Sequence, residues 1–142
     1  MFLLDTNVVS ELRKAGAGKA DKNVTRWARR ASANELYISA ITILELETGV
    51  LLLERRDPLQ GAVLRRWLEE RVYRAFVERV LAIDAATARR CAAMHVPNRR
   101  SDRDALIAAT ALVRGMTVVT RNVADFKGLN VRILNPWERG AS

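Results

Sequence analysis

Short apolar blocks and longer, helically spaced blocks alternate along this chain. Five apolar runs bounded by turn residues read as buried strands: Phe2-Leu3-Leu4 ahead of Asp5, "LYIS" from Leu36, "VLAID" from Val80, "MTVVT" from Met116 and "VRILN" from Val131. Between them the spacing changes to that of helices. Thr6 and Asn7 are placed to cap a helix over "VVSELRK". Loop composition follows in "AGAGKADKN", and then Val24, Trp27, Ala28 and Ala31 share one helical face. "AITILELETGVLLLERR" reads as a helix, and Asp57-Pro58 carries the cap-then-proline signal of another. In that second helix Val63, Leu64, Trp67, Leu68, Val72 and Phe76 keep helical register toward Val80. "AATARRCAAMHV" and "DALIAATALVR" complete the set, separated by the basic loop "PNRRSDR", and Gly115 stops the last helix.

Strand and helix alternation predicts an α/β fold with a mainly parallel central sheet and helices on both faces. The 142 residues suit one domain, 1–142, with no repeat or long linker. No run approaches the roughly 20 apolar residues of a membrane helix. "MFLLD" lacks the basic start of a signal peptide. With a single cysteine, Cys91, this points to a cytoplasmic protein without disulfides.

Charge changes the picture more than composition does. Twenty-four Lys and Arg against sixteen Asp and Glu leave a net +8, which invites a polyanionic partner, either nucleic acid or an acidic protein. A basic surface with no particular partner satisfies the same total.

In open α/β sheets ligands bind beyond the carboxyl ends of strands. Asp5 ends the first strand, Glu45 lies a turn into the helix after the second, Asp104 opens the helix before the fourth, and Asp125 follows the fourth. Each alone has a local reading, as a cap, a turn or an exposed helical acid. Brought together, such acids repel, and a cation relieves the repulsion. Magnesium suits oxygen donors and lowers the pKa of bound water. A carboxylate–metal site in a basic protein is the chemistry of phosphodiester hydrolysis. A D-x-D phosphatase reading fails at Asn7, and "DTNVVS" has no glycine for a dinucleotide loop.

With "LLDTNVVSEL", "SAITILELETG", "DALIAATA", "VVTRNVADF" and "ILNPW" in order, the chain resembles the PIN-domain ribonucleases, specifically the VapC/FitB-like toxins of toxin–antitoxin pairs. The resemblance covers nearly the whole chain. It implies a PIN-like three-layer fold and a metal-dependent endoribonuclease, using Mg²⁺ with Mn²⁺ as a substitute. It implies catalytic and metal-holding roles for Asp5, Glu45, Asp104 and Asp125. Many relatives place the last acid where this chain has Asn122. Thr6, Thr120 and Asn122 are implied as supporting residues, and Glu47 and Asp102 fall outside the pattern. A homodimer, a VapB-like antitoxin and an RNA substrate are the partners it implies. The rival is a non-cleaving RNA-binding protein of the same fold, or a co-regulator that helps an antitoxin grip DNA.

Arg99, Arg100, Arg103 and Arg121 read either as a phosphate clamp beside the acids or as solvated loop charge. Arg13, Lys14, Lys19 and Lys22 read as solvated surface. His95 and Cys91 read as helix-end and packing residues, Trp27 and Trp67 as core or groove residues, and Trp137 as a cover for the sheet edge.

Overall fold

All five apolar runs contribute strands. In the computed structural model, which describes residues 1–141, these are β1 (Phe2–Leu4), β2 (Leu36–Ser39), β3 (Val80–Leu81), β4 (Thr117–Val119) and β5 (Ile133–Leu134). They form one sheet in the order β3-β2-β1-β4-β5, and all four pairings are parallel. Parallel neighbours require crossovers. From β1 to β4 these are supplied by α1 (Thr6–Arg13), α2 (Lys22–Arg30), α3 (Ala40–Arg56), α4 (Pro58–Trp67), α5 (Tyr73–Ala75), α6 (Ala85–Met94) and α7 (Asp102–Arg114), and from β4 to β5 by a loop with the 3₁₀ turn Val123–Phe126.

The pleat sends successive side chains to opposite faces. Leu4 and Val119 join one core cluster, with Val8 and Val9 of α1, Trp27 of α2, Leu46 and Val50 of α3, and Leu68. Their neighbours Leu3 and Val118 join a second cluster, with Ile107, Ala108 and Ala111 of α7 and with Phe126. Helices therefore cover both faces, and the expected three-layer arrangement is present. Among the described residues no helix is long and apolar enough to cross a membrane.

Several local expectations are corrected. The cap of α1 is Asp5, whose carboxylate accepts the Thr6 N–H; Thr6 and Asn7 lie inside the first turn. The stretch "AGAGKADKN" is only partly loop, because Lys14–Ala17 form a 3₁₀ turn and Asp21 caps α2. The helix running toward Val80 ends sooner: a π-helical turn over Leu68–Val72 leads into α5, and Val80 pairs with Ile38 in the sheet. Val80 thus opens the strand read for "VLAID" instead of ending that helix. Val63, placed in the apolar stripe of that helix, is exposed. The last helix starts at Asp102, two residues before Asp104, and Gly115 ends it at φ +68°, in the left-handed region that favours glycine.

Strand order matters for the site. Going out from β1, the chain first builds toward β2 and β3, then crosses to β4 on the other side. The carboxyl ends of β1 and β4 thus flank the point where the winding reverses, where α/β sheets open a crevice.

Candidate active site

Asp5 sits at that crevice and is 6% exposed. Its backbone N–H extends the ladder to the Val119 carbonyl at 2.9 Å. One carboxylate oxygen accepts the Thr6 N–H at 2.8 Å; the other accepts the Thr120 hydroxyl at 2.7 Å and the Asn7 amide at 3.4 Å. The Thr120 hydroxyl in turn receives the Asn122 N–H at 3.0 Å. The end of β4 is thereby tied to the end of β1 through side chains 115 residues apart.

Glu45 reaches the same place from α3. Ser39 caps that helix through Thr42 N–H, which orients its first turns over the crevice. The Thr6 hydroxyl donates to Glu45 Oε1 at 2.8 Å and lies 3.1 Å from the buried Thr42 hydroxyl. Having one proton, Thr6 Oγ1 gives it to the carboxylate and accepts from Thr42. Arg103 approaches the other Glu45 oxygen at 3.5 Å.

Asp5, Glu45 and Asp104 line one cleft of about 450 Å³. Burial raises the Asp5 carboxyl above its ordinary value; the Thr120 and Thr6 hydrogen bonds oppose this, while the Glu45 and Asp125 charges add to it. Asp104 is raised by burial, then by the charges of Asp125, Asp5 and Glu45. Asp125, in the 3₁₀ turn Val123–Phe126, is exposed and does not line the cleft, yet its charge acts on both. The four sequence-selected acids are thus electrostatically one group, three of them in the cleft.

That repulsion and an all-oxygen donor set fit a hard divalent cation. Among the described residues no three acids converge tightly enough to form a ready-made cage. Magnesium fits this looser arrangement, since it is commonly held by one or two carboxylates and keeps several waters.

The arginines separate. Arg121 lines the cleft, its guanidinium carbon 5.3 Å from the centroid of the Trp137 ring. Arg103 pairs with Glu45. Arg99 instead pairs with Asp102 at 3.2 Å, and Arg100 lines a different hollow beside Gly128, so neither belongs to a clamp at the acids. The Arg100 N–H donates to His95 Nδ1 at 3.0 Å, which gives His95 its helix-end role. Cys91 is buried, and burial raises its thiol.

Five cleft residues, Asn7, Ser10, Glu11, Lys14 and Trp137, lay outside the sequence-based selection, and two of them tie the site together. Asn7 bridges Asp5, Thr120 and the Arg121 N–H. Trp137, whose carbonyl accepts from Asn23, supports Arg121 rather than merely covering a sheet edge. A helical spacing, Asn7, Ser10, Glu11 and Lys14, was the available signal that one side of α1 faces the cleft. Lys14, read as solvated surface, pairs with Glu11 at 3.2 Å there.

Thr120→Val removes a hydrogen bond that favours ionised Asp5. The Asp5 carboxyl is then expected to titrate at still higher pH, followed by its ¹³C shift. An unchanged titration would mean that the hydroxyl does not hold this carboxylate.

The PIN domain pattern matches residues 2–129. A VapC ribonuclease of Sinorhizobium fredii is 36% identical over 143 residues, covering 97% of this chain and 99% of that protein. The toxin FitB of Neisseria gonorrhoeae is 34% identical over 142 residues, covering 96% and 99%. The crystal structure of FitAcB from Neisseria gonorrhoeae superposes with a TM-score of 0.86 at 34% identity, covering 97% of this chain and 99% of its own. A parallel sheet with an acid cleft at its winding reversal, a pattern match over most of the chain and full-length relatives agree: this chain belongs to the PIN-domain family, alongside the VapC and FitB proteins.

Proposed function

We propose that this protein is the magnesium-dependent endoribonuclease toxin of a toxin–antitoxin pair. The observation that carries the reading is the meeting of Asp5, Glu45 and Asp104 in one cleft, with Asp125 acting on it, in a chain of net charge +8. The ribonuclease and toxin names of its relatives support the same substrate class.

In this mechanism Asp5, Glu45 and Asp104 would hold the ion in the cleft, and Asp125 would join them from its rim. The chemistry a bound magnesium ion would supply is Lewis acidity, a lowered pKa of water and an offset to charge building on the phosphate. Thr120 and Asn7 fix the Asp5 carboxylate, and Thr6 fixes Glu45. One of these carboxylates would help to take the proton from the attacking water. Arg121, steadied on Trp137, faces the phosphate.

The cognate partner is a VapB-like antitoxin, and the toxin works in the cytoplasm as a homodimer. Relatives of known structure are FitAcB from Neisseria gonorrhoeae and FitAB bound to a DNA fragment. Leu51 and Leu52 of α3 and Leu59 and Val63 of α4 are exposed, an apolar surface for such partners to cover.

The test is incubation of antitoxin-free protein with total cellular RNA, with new 5′ ends mapped by sequencing. Discrete cuts are expected with Mg²⁺ or Mn²⁺ and none with EDTA. Folded protein that binds RNA and cuts nothing with either ion would instead be a non-cleaving RNA-binding member of the family.

A further inference from the structure

Lys22, Arg26, Arg29 and Arg30 lie on one side of α2, within an arc of about 100° at 3.6 residues per turn. Val24 and Trp27 take the other side and are buried. The four cations are exposed, and among the described residues none pairs with an acid. They line one groove of about 480 Å³, walled by Ala15 and Gly18.

The helix gains little from this stripe. Lys22 stands in the first turn, where the dipole disfavours a cation. Lys22–Arg26 and Arg26–Arg30 are like-charged i,i+4 pairs, which weaken a helix. Only Arg29 and Arg30, in the last turn, suit the dipole. Glu138 borders Arg26 and Arg30 in a small adjoining pocket and pairs with neither.

The groove is next to the acid cleft. Lys14 lines the cleft, and the next residue, Ala15, lines the groove, so the 3₁₀ turn Lys14–Ala17 is a shared wall. From Lys22 to Arg30 the stripe runs about 12 Å along the helix. That length spans more than one phosphate of a strand.

We propose that the α2 stripe is a phosphate track that holds the backbone of the substrate RNA where the strand leaves the acid cleft. The identity of the strand as substrate rests on the ribonuclease reading above; the binding itself does not.

The experiment reads binding apart from cleavage. In an Asp5→Asn background, a 30-nucleotide single-stranded RNA is titrated by fluorescence anisotropy across a range of KCl concentrations. Lys22, Arg26, Arg29 and Arg30 are changed together to Gln, which keeps helix propensity. The salt slope of log K is expected to shrink by roughly 3, at about 0.7 per lost phosphate contact on a single strand. A control changes the exposed Arg55, Arg56, Arg66 and Arg71 to Gln and is expected to lose much less. An unchanged slope in the α2 variant, or equal losses in both, overturns the track. In the Asp5 protein the α2 variant is expected to raise KM and leave kcat unchanged. Absence of any cleavage by that protein would count against the ribonuclease reading alone.

Discussion

Asp5→Asn is expected to lower RNA cleavage by at least about 100-fold, the scale of a positioned acid–base group, while the protein stays folded. Asn and Asp are equally good helix N-caps, and the Thr6 N–H keeps an acceptor. The Thr120 hydroxyl has to reorient toward the new amide. Against that stands the removal of a buried charge. Burial, with Glu45 and Asp125 adding to it, raises the folded Asp5 pKa above its ordinary value. The folded state then binds this proton more tightly than the unfolded chain. Stability contributed by Asp5 falls as pH rises from near the unfolded value to the folded one, so at neutral pH the ionised group is held at a cost. The neutral variant should therefore melt at or above the temperature of the parent at pH 7, and the gap should close under acid. Lost cleavage with an unchanged or higher Tm assigns Asp5 to the chemistry. A large fall in Tm would assign it to the fold instead, and retained cleavage would remove it from the mechanism.

The largest expected loss of stability comes from a methyl group. Gly61 is buried in α4 where that helix crosses α3, and a Cβ there would stand 2.4 Å from Glu54 Cα and 2.7 Å from Glu54 N. Those are backbone atoms inside a helix and cannot step aside. Gly61→Ala forces the α3–α4 hairpin apart. Around this crossing Arg65 donates to Glu47 at 2.9 Å and approaches Glu54 at 3.4 Å, and the Tyr73 hydroxyl bonds Glu47. The expected cost is about 3 kcal/mol or more, the upper range for overpacking. It comes despite the roughly 1 kcal/mol by which Ala is the better helix former. Gly49→Ala is the matching control. Gly49 lies mid-α3 with nothing within 4 Å of where a methyl would stand, so Ala should stabilise by about 0.5–1 kcal/mol. Chemical denaturation of both variants checks the pair. Similar effects at the two positions would show that helix propensity, not the crossing, governs Gly61.

Much of this architecture was legible in the residues because its causes are local. Asp57-Pro58 starts its helix where the cap rules place it, and Gly115 ends one, since each satisfies groups within a few residues. The alternation of Leu3 with Leu4 and of Val118 with Val119 already implies a sheet buried on both faces. Expectations slipped where a distant partner overrode a local preference. Arg99 and Arg100 leave the acids because Asp102 and the hollow beside Gly128 hold them.

The residue types at the site are a property of the chain: acids after apolar runs, threonines beside them and a surplus of cations. Their meeting is not. Thr6 touches Glu45 across 39 positions, and Thr120 touches Asp5 across 115. Those contacts exist because parallel pairing sets the ends of β1 and β4 side by side. Periodicity reports which face of an element is buried, but not which elements become neighbours. That choice follows from long-range pairing and packing. It makes Asn7 a bridge instead of a cap, puts Trp137 under Arg121, and separates an indispensable Gly61 from a replaceable Gly49.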